Sequence, residues 1–201
     1  MKRIGILLSG RGSNFEAIAQ QIDKGNLNAE VAVVVSNVES APGLQRARER
    51  GFDVLSANSK GLSREAFDRQ VIHVLKEKRV DLVCLAGFMR LLTPSFIQAF
   101  RNRILNIHPS LLPAFPGLDA QRQALEYGVK VSGCTVHFVD EGLDSGPIIM
   151  QAAVPVLDED TEESLSARIL EQEHQIYSKA IQHVLDGQIR INGRRVLQAS
   201  R

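Results

Sequence analysis

An excess of either charge is missing from this chain. Lys and Arg number 24 against 23 Asp and Glu, which leaves a net charge of +1. So even a balance carries none of the basic footprint of a nucleic-acid or anionic-membrane binder. Neither is expected as a partner, and any phosphate must be met by local groups. Long apolar runs are also missing. None reaches the ~18 residues of a membrane-spanning helix. The N-terminal run Arg3-Ile4-Gly5-Ile6-Leu7-Leu8 lacks the apolar core and cleavage site of a secretory leader and reads as a strand. Cysteine is scarce. Cys84 and Cys134 each sit in an apolar, strand-like run, which reads as two buried free thiols in a reducing compartment and places the protein in the cytoplasm. No repeat, linker or low-complexity segment is visible, so the 201 residues are expected to form one domain.

What is present is an alternation of short apolar runs and helical periodicity. Runs at 4–8, 30–36, 52–56, 80–86 and 103–108 read as strands. Between them lie helical patterns at 15–22, 41–50, 63–75 and 93–100, with Ser63 and Thr93 as N-caps. This order predicts an α/β fold built on a Rossmann-like, open, mostly parallel sheet flanked by helices. The pattern changes after residue 108. A loop rich in proline and glycine (109–119) precedes a helix at 120–127. Runs at 131–139 and 147–156 read as antiparallel strands, because a connection as short as 140–146 does not suit a parallel pair. A long helix opens at Thr161 and runs to about Leu185. A terminal hairpin is expected at 190–197, turning across Asn192-Gly193.

Three places could carry chemistry. The first is Asn106-Ile107-His108-Pro109, where a strand ends in a proline-bounded loop. Alternation puts Asn106 and His108 on one side, roughly 7 Å apart along the strand, where open α/β sheets place ligands. A buried, hydrogen-bonded pair serving only structure is the alternative. The second is Gly10-Arg11-Gly12-Ser13-Asn14 after the first strand. Small residues there let a backbone approach an anion at a helix N-terminus. The dinucleotide pattern fails, since Phe15 stands where a third glycine belongs and no acid ends the second strand. Ser13 and Asn14 suit a phosphate monoester, and a tight turn without ligand stays open. The third is Asp144, in a turn shaped by Gly142, Gly146 and Pro147. A carboxylate there either caps the turn or stands beside His108 and stabilises an imidazolium. Asn, His and Asp together would make two donors for a developing oxyanion and a carboxylate to move protons. Ser110 lacks the nucleophile-elbow context of a covalent serine enzyme. Cys134 and His137 form a lone pair without the further ligands a metal needs, so no metal is expected, and His137 reads as a supporting or core residue.

Taken together, SGRGSN at 9–14, AGFMRLL at 86–92, NIHPSLLPAFPG at 106–117 and DSGPI at 144–148 resemble the folate-dependent formyltransferases, over nearly the whole chain and in order. The likeness is greatest to the small branch that acts on glycinamide ribonucleotide. It implies transfer of a formyl group from 10-formyltetrahydrofolate, the co-substrate, to a primary amine, with Asn106, His108 and Asp144 as the catalytic trio. Gly12, Ser13, Asn14 and Glu173 would hold the phosphoribosyl group. Arg64, Met89, Arg90, Leu91, Leu92, Asp140 and Asp144 would contact the folate. The phosphate would fall to the first half, about 1–100, and folate and chemistry to the second, about 101–201. The Leu112–Pro113 bond is expected to be cis, and the protein to be a monomer or homodimer. Sister families carry an added tRNA-binding or N-terminal domain, so a chain of 201 residues accords with the small branch. A hydrolase that gives the formyl group to water, and a nucleotide-binding module without activity, are the competing expectations. The chain departs from the family pattern at Asp119 and Gln121, where histidines are expected, and at Leu170, where a polar partner for Glu173 is expected.

Overall fold

A computed structural model describes residues 1–57 and 61–199. The chain divides into two compact units, Met1–Leu105 and the part from Asn106 on. The first contains β1 (Lys2–Leu8), α1 (Ser13–Asp23), β2 (Ala29–Ser36), α2 (Pro42–Glu49), β3 (Val54–Ser56), α3 (Arg64–Glu77), β4 (Leu82–Leu85) and α4 (Pro94–Ala99), and β5 (Ile104–His108) crosses the boundary. The first four strands run parallel in the order β3-β2-β1-β4. Strands covered on both faces lose the alternation of a half-exposed sheet. From Ile4 to Leu8, from Val31 to Ser36 and throughout β4, every residue is buried.

After β1 the chain builds outward through β2 and β3, then returns to lay β4 on the other side of β1. That reversal is the switch point at which open α/β sheets present their carboxyl ends to a ligand. Two helices near it start where the sequence predicts. The Ser63 hydroxyl accepts from Ala66 N–H at 3.1 Å and the Thr93 hydroxyl from Phe96 N–H at 3.3 Å, so each satisfies a donor the helix leaves orphaned.

The second unit contains α5 (Ala120–Tyr127), β6 (Val131–Phe138), β7 (Ile148–Pro155), α6 (Glu162–Leu185), β8 (Ile189–Asn192) and β9 (Arg195–Gln198). Strands β6 and β7 are antiparallel, with a register shift between Val136 and His137. Helix α6 packs on both. It opens with a capping box in which Thr161 and Ser164 each accept from the other's backbone N–H. The apolar stripe Leu165, Ile169, Ile176 and Ile181 is buried. The terminal hairpin differs from the expectation by one residue. Asn192 pairs with Arg195, so Gly193 and Arg194 form the turn. The physical reason is Gly193, whose φ of 59° suits the first loop position.

The fold is thus α/β, a parallel open sheet with helices in the first unit and antiparallel strands with a long helix in the second. Cys84 and Cys134 are free and buried, one in each unit. Among the described residues no helix is long and apolar enough to cross a membrane.

Candidate active site

In the second unit, Asn106 and His108 share one side of β5 as alternation requires, and two further side chains meet them. His108 Nδ1 lies 3.4 Å from Asp144 Oδ2. Its other nitrogen, Nε2, lies 2.8 Å from the carbonyl oxygen of Phe115. A carbonyl only accepts, so Nε2 carries the hydrogen and the neutral ring has its lone pair on Nδ1. Protonation adds an N–H at Nδ1, and both nitrogens then donate to acceptors. Asn106 Nδ2 lies 3.2 Å from His137 Nε2, and His137 Nε2 lies 3.7 Å from Asp144 Oδ1. His108 and His137 are almost fully buried, and Asp144 is half-buried. Burial holds the His137 imidazole below its ordinary pKa, and the Phe138 carbonyl and Asp144 only partly offset this.

The turn that presents Asp144 is tightly determined. A Cβ on Gly146 would fall 1.8 Å from the Phe138 carbonyl oxygen, so only glycine fits. Asp140 Oδ1 accepts from Gly142 N–H at 3.1 Å and from the Ser145 hydroxyl at 2.6 Å, which closes the turn from within. Arg194 donates to the Ser145 carbonyl at 2.8 Å. Asp144 has a φ of 48°, a region asparagine and aspartate enter more readily than other side chains. Its Oδ2 accepts from Gly117 N–H at 2.8 Å, which ties the turn to the end of the proline-rich loop.

That loop is anchored by a polar cluster built on buried Thr135 and Ser110 and reached from outside by Gln151. Thr135 on β6 donates to the Ser110 carbonyl at 2.6 Å, and its hydroxyl accepts from Leu112 N–H and from Gln151 Nε2, each at 3.0 Å. Gln151 also donates to the Leu112 carbonyl at 3.0 Å. The Leu112–Pro113 bond is cis. Ser110 is buried and donates to the Ala114 carbonyl at 2.6 Å. It is therefore a loop anchor, and His108 spends its nitrogens elsewhere. Thr135→Val, of nearly the same shape, strips the Leu112 N–H and Gln151 of their shared acceptor. A buried group left unpaired costs about 1–3 kcal/mol. Urea unfolding of the variant should show a loss of that size, and an unchanged midpoint would mean the cluster contributes nothing.

In the first unit, the glycine turn ends in Gly12 at φ 75°, and α1 begins at Ser13. The turn leans on the start of α2. Gly43 N–H donates to the Gly10 carbonyl at 3.0 Å, and Arg46 donates to the Arg11 carbonyl at 3.0 Å. A Cβ on Gly43 would lie 2.8 Å from Gly12 Cα. Both carbonyls are thus engaged by α2, and the turn leads directly into the N-terminus of α1. Ser9 joins three strand ends. Its hydroxyl donates to Asn37 Oδ1 at 2.6 Å and accepts from Met89 N–H at 2.8 Å.

The segment after β4 is held at its far end by Asp68, which accepts from Thr93 N–H at 2.7 Å. Between these ties Met89 and Leu91 are 69% and 59% exposed, and Leu92 is half-buried. Arg90 lies over the Phe67 ring, 4.5 Å from its centroid. Arg64 is exposed at the first position of α3. Glu173 is buried on α6. The Cys134 thiol is pushed up to about 12, first by burial and then by the Glu173 charge. Asp119 caps α5 at φ 55° and pairs with Arg122. Among the described residues no cluster of three or more His, Cys, Asp or Glu is arranged to hold a metal.

The second unit thus brings Asn106, His108 and Asp144 together. Sequence reasoning reads His137 only as a supporting or core residue and does not single out Thr135, although both alternate along the same strand.

An amide, an imidazole and a carboxylate gathered at a strand end suit transfer of an acyl-type group with no covalent enzyme intermediate. The family model described as "Formyl transferase" matches residues 2–181, and the chain belongs to that family. It is an enzyme, and formyl transfer is its class of chemistry. It is 45% identical over 190 residues to the phosphoribosylglycinamide formyltransferase of Escherichia coli (strain K12), covering 94% of this chain and 90% of that one. It is 49% identical over 189 residues to the trifunctional purine biosynthetic protein adenosine-3 of Drosophila melanogaster. That match covers 92% of this chain but only 14% of the longer protein. The crystal structure of glycinamide ribonucleotide transformylase 1 from Symbiobacterium toebii matches with a TM-score of 0.96 at 56% identity, covering 100% of this chain and 95% of that one.

Proposed function

We propose that this protein moves the formyl group of 10-formyltetrahydrofolate to the primary amine of glycinamide ribonucleotide, giving formylglycinamide ribonucleotide and tetrahydrofolate in purine synthesis. The observation that carries the reading is the cluster of Asn106, His108 and Asp144, with every hydrogen-bonding atom of His108 accounted for. An α-amino group titrates near pH ~8, so part of the substrate is already neutral at pH 7 and no strong base is needed. The amine attacks the formyl carbon, a C–N bond forms and the carbonyl oxygen becomes an oxyanion. Asn106 Nδ2 donates to it. The second donor is Nδ1–H of the His108 imidazolium, which Asp144 Oδ2 at 3.4 Å holds loosely and shares with the oxyanion. Asp144, through water, takes the surplus proton from the attacking nitrogen and delivers one to N10 as the old C–N bond breaks.

Gly12, Ser13 and Asn14 hold the phosphate in this reading, and Glu173 the ribose. Leu170 itself brings no polar group to the ribose, and the contact is assigned to Glu173. Arg64, Met89, Arg90, Leu91, Leu92 and Asp140 meet the folate. Asp140 does so with the oxygen not committed to its turn. The whole chain serves as one catalytic domain in the cytoplasm, as a monomer or homodimer.

The test is to incubate the protein with 10-formyltetrahydrofolate, with and without glycinamide ribonucleotide. Tetrahydrofolate should form at a useful rate only with the ribonucleotide, in step with its formylation. Equal release in its absence would make water the acceptor and overturn the proposal.

A further inference from the structure

Asn106 can only serve an oxyanion if its amide is turned the right way. The amide has two donors on one side and an acceptor on the other, and a half-turn about its last bond would offer the substrate an oxygen lone pair instead. Its neighbour settles which side faces where. His137 Nδ1 lies 2.8 Å from the Phe138 carbonyl, which only accepts, so Nδ1 carries the hydrogen. In the neutral ring Nε2 is then an acceptor, and it faces Asn106 Nδ2 at 3.2 Å. One Nδ2 hydrogen is taken there, and the other remains for the substrate. The reversed amide would set its oxygen against the Nε2 lone pair, which is repulsive. It could be accommodated only by a charged His137, and burial opposes that charge.

The backbone arranges this contact. The β6–β7 register shifts between Val136 and His137, and His137 Nδ1 pairs with its own neighbour's carbonyl, which leaves Nε2 to face Asn106 Nδ2 at 3.2 Å, with Asp144 Oδ1 farther off at 3.7 Å. A buried histidine that served only packing would not need its acceptor atom aimed at one of the three catalytic groups.

The geometry points to His137 as a positioning residue, which holds the Asn106 amide in its donating orientation through the hydrogen bond at Nε2. The inference rests on the reading of Asn106 as an oxyanion donor. His137 itself touches neither substrate nor reacting atoms.

A double-mutant cycle tests it. His137→Phe keeps a ring of similar size and removes the acceptor. A misplaced reacting group costs up to about 100-fold, so kcat should fall about 10- to 100-fold while KM for both substrates stays nearly constant. His137→Gln, whose side-chain oxygen can take the same hydrogen bond, should recover most of the loss. In an Asn106→Ala background, His137→Phe should cost almost nothing further, because the group it orients is gone. If the two losses multiply instead, His137 acts by some other route and the inference fails. If Asn106→Ala leaves kcat unchanged, the oxyanion reading of Asn106 fails first. Should His137→Phe not fold, nitrogen chemical shifts of the wild-type imidazole decide. A hydrogen on Nδ1 supports the assignment, and one on Nε2 overturns it.

Discussion

Asp144→Asn should lower kcat by about 10²- to 10⁴-fold, the usual span for loss of a positioned proton-transfer group, with KM values for both substrates almost unchanged. That span corresponds to about 3–5 kcal/mol of barrier. The substitution isolates the charge. Asparagine tolerates the φ of 48° at this position, and its carbonyl oxygen can still accept from Gly117 N–H. The turn, closed by Asp140 and by Gly146 against Phe138, should therefore survive, and thermal unfolding should show a native midpoint. What disappears is the carboxylate beside His108, and with it both the partner of the imidazolium and the group that relays protons. A steady-state comparison at saturating substrates measures the effect. Wild-type turnover in the variant would remove Asp144 from the mechanism.

His108→Ala should lose a comparable amount by a different route. Removal of one oxyanion donor typically costs 10²–10³-fold in kcat, about 3–4 kcal/mol. The imidazole also donates to the carbonyl of half-buried Phe115, so the variant loses a hydrogen bond and should be less stable by about 0.5–1.5 kcal/mol. Activity must therefore be measured where the variant is folded, with denaturant curves in parallel. The two catalytic substitutions should not multiply. Asp144 acts in part through the His108 imidazolium, so the Asp144→Asn effect should shrink in the His108→Ala background. Fully multiplicative losses would mean that the ion pair has no part in catalysis. A binding module without activity predicts indifference to either change.

The parts of this fold that show in the sequence are those with local causes. Helix α6 shows along its length, because Thr161 and Ser164 cap its start and Leu165, Ile169, Ile176 and Ile181 return to one face over more than four turns. The strand that ends at Pro109 shows for the same reason, and with it the shared side of Asn106 and His108. The division of the chain into two compact units falls within β5, between Leu105 and Asn106, where no local signal marks it. The hairpin turn at Gly193 was misplaced by one residue because Asn192-Gly193 and Gly193-Arg194 are both acceptable turn dipeptides, and cross-strand pairing chooses between them. Other features were hidden because they are pairings at a distance. Nothing near His137 says that its ring will meet an amide 31 residues away. Nothing near Phe115 says that its backbone will meet the catalytic imidazole. Thr135 reads as an ordinary strand residue until the loop folds onto it.

The Phe115 contact bears on how this site tolerates change over time. The hydrogen of the neutral His108 is located by a peptide carbonyl, and every amino acid carries that group. Substitution at 115 can alter the ring contact with Tyr127, whose centroid lies 5.9 Å away, yet cannot delete the acceptor. Only a change in the path of the backbone can do that, and the path is set by Thr135 and Gln151. Sequence drift at position 115 is thus insulated from the protonation pattern of the catalytic histidine. The same drift at 135 or 151, far less conspicuous in the primary structure, is not.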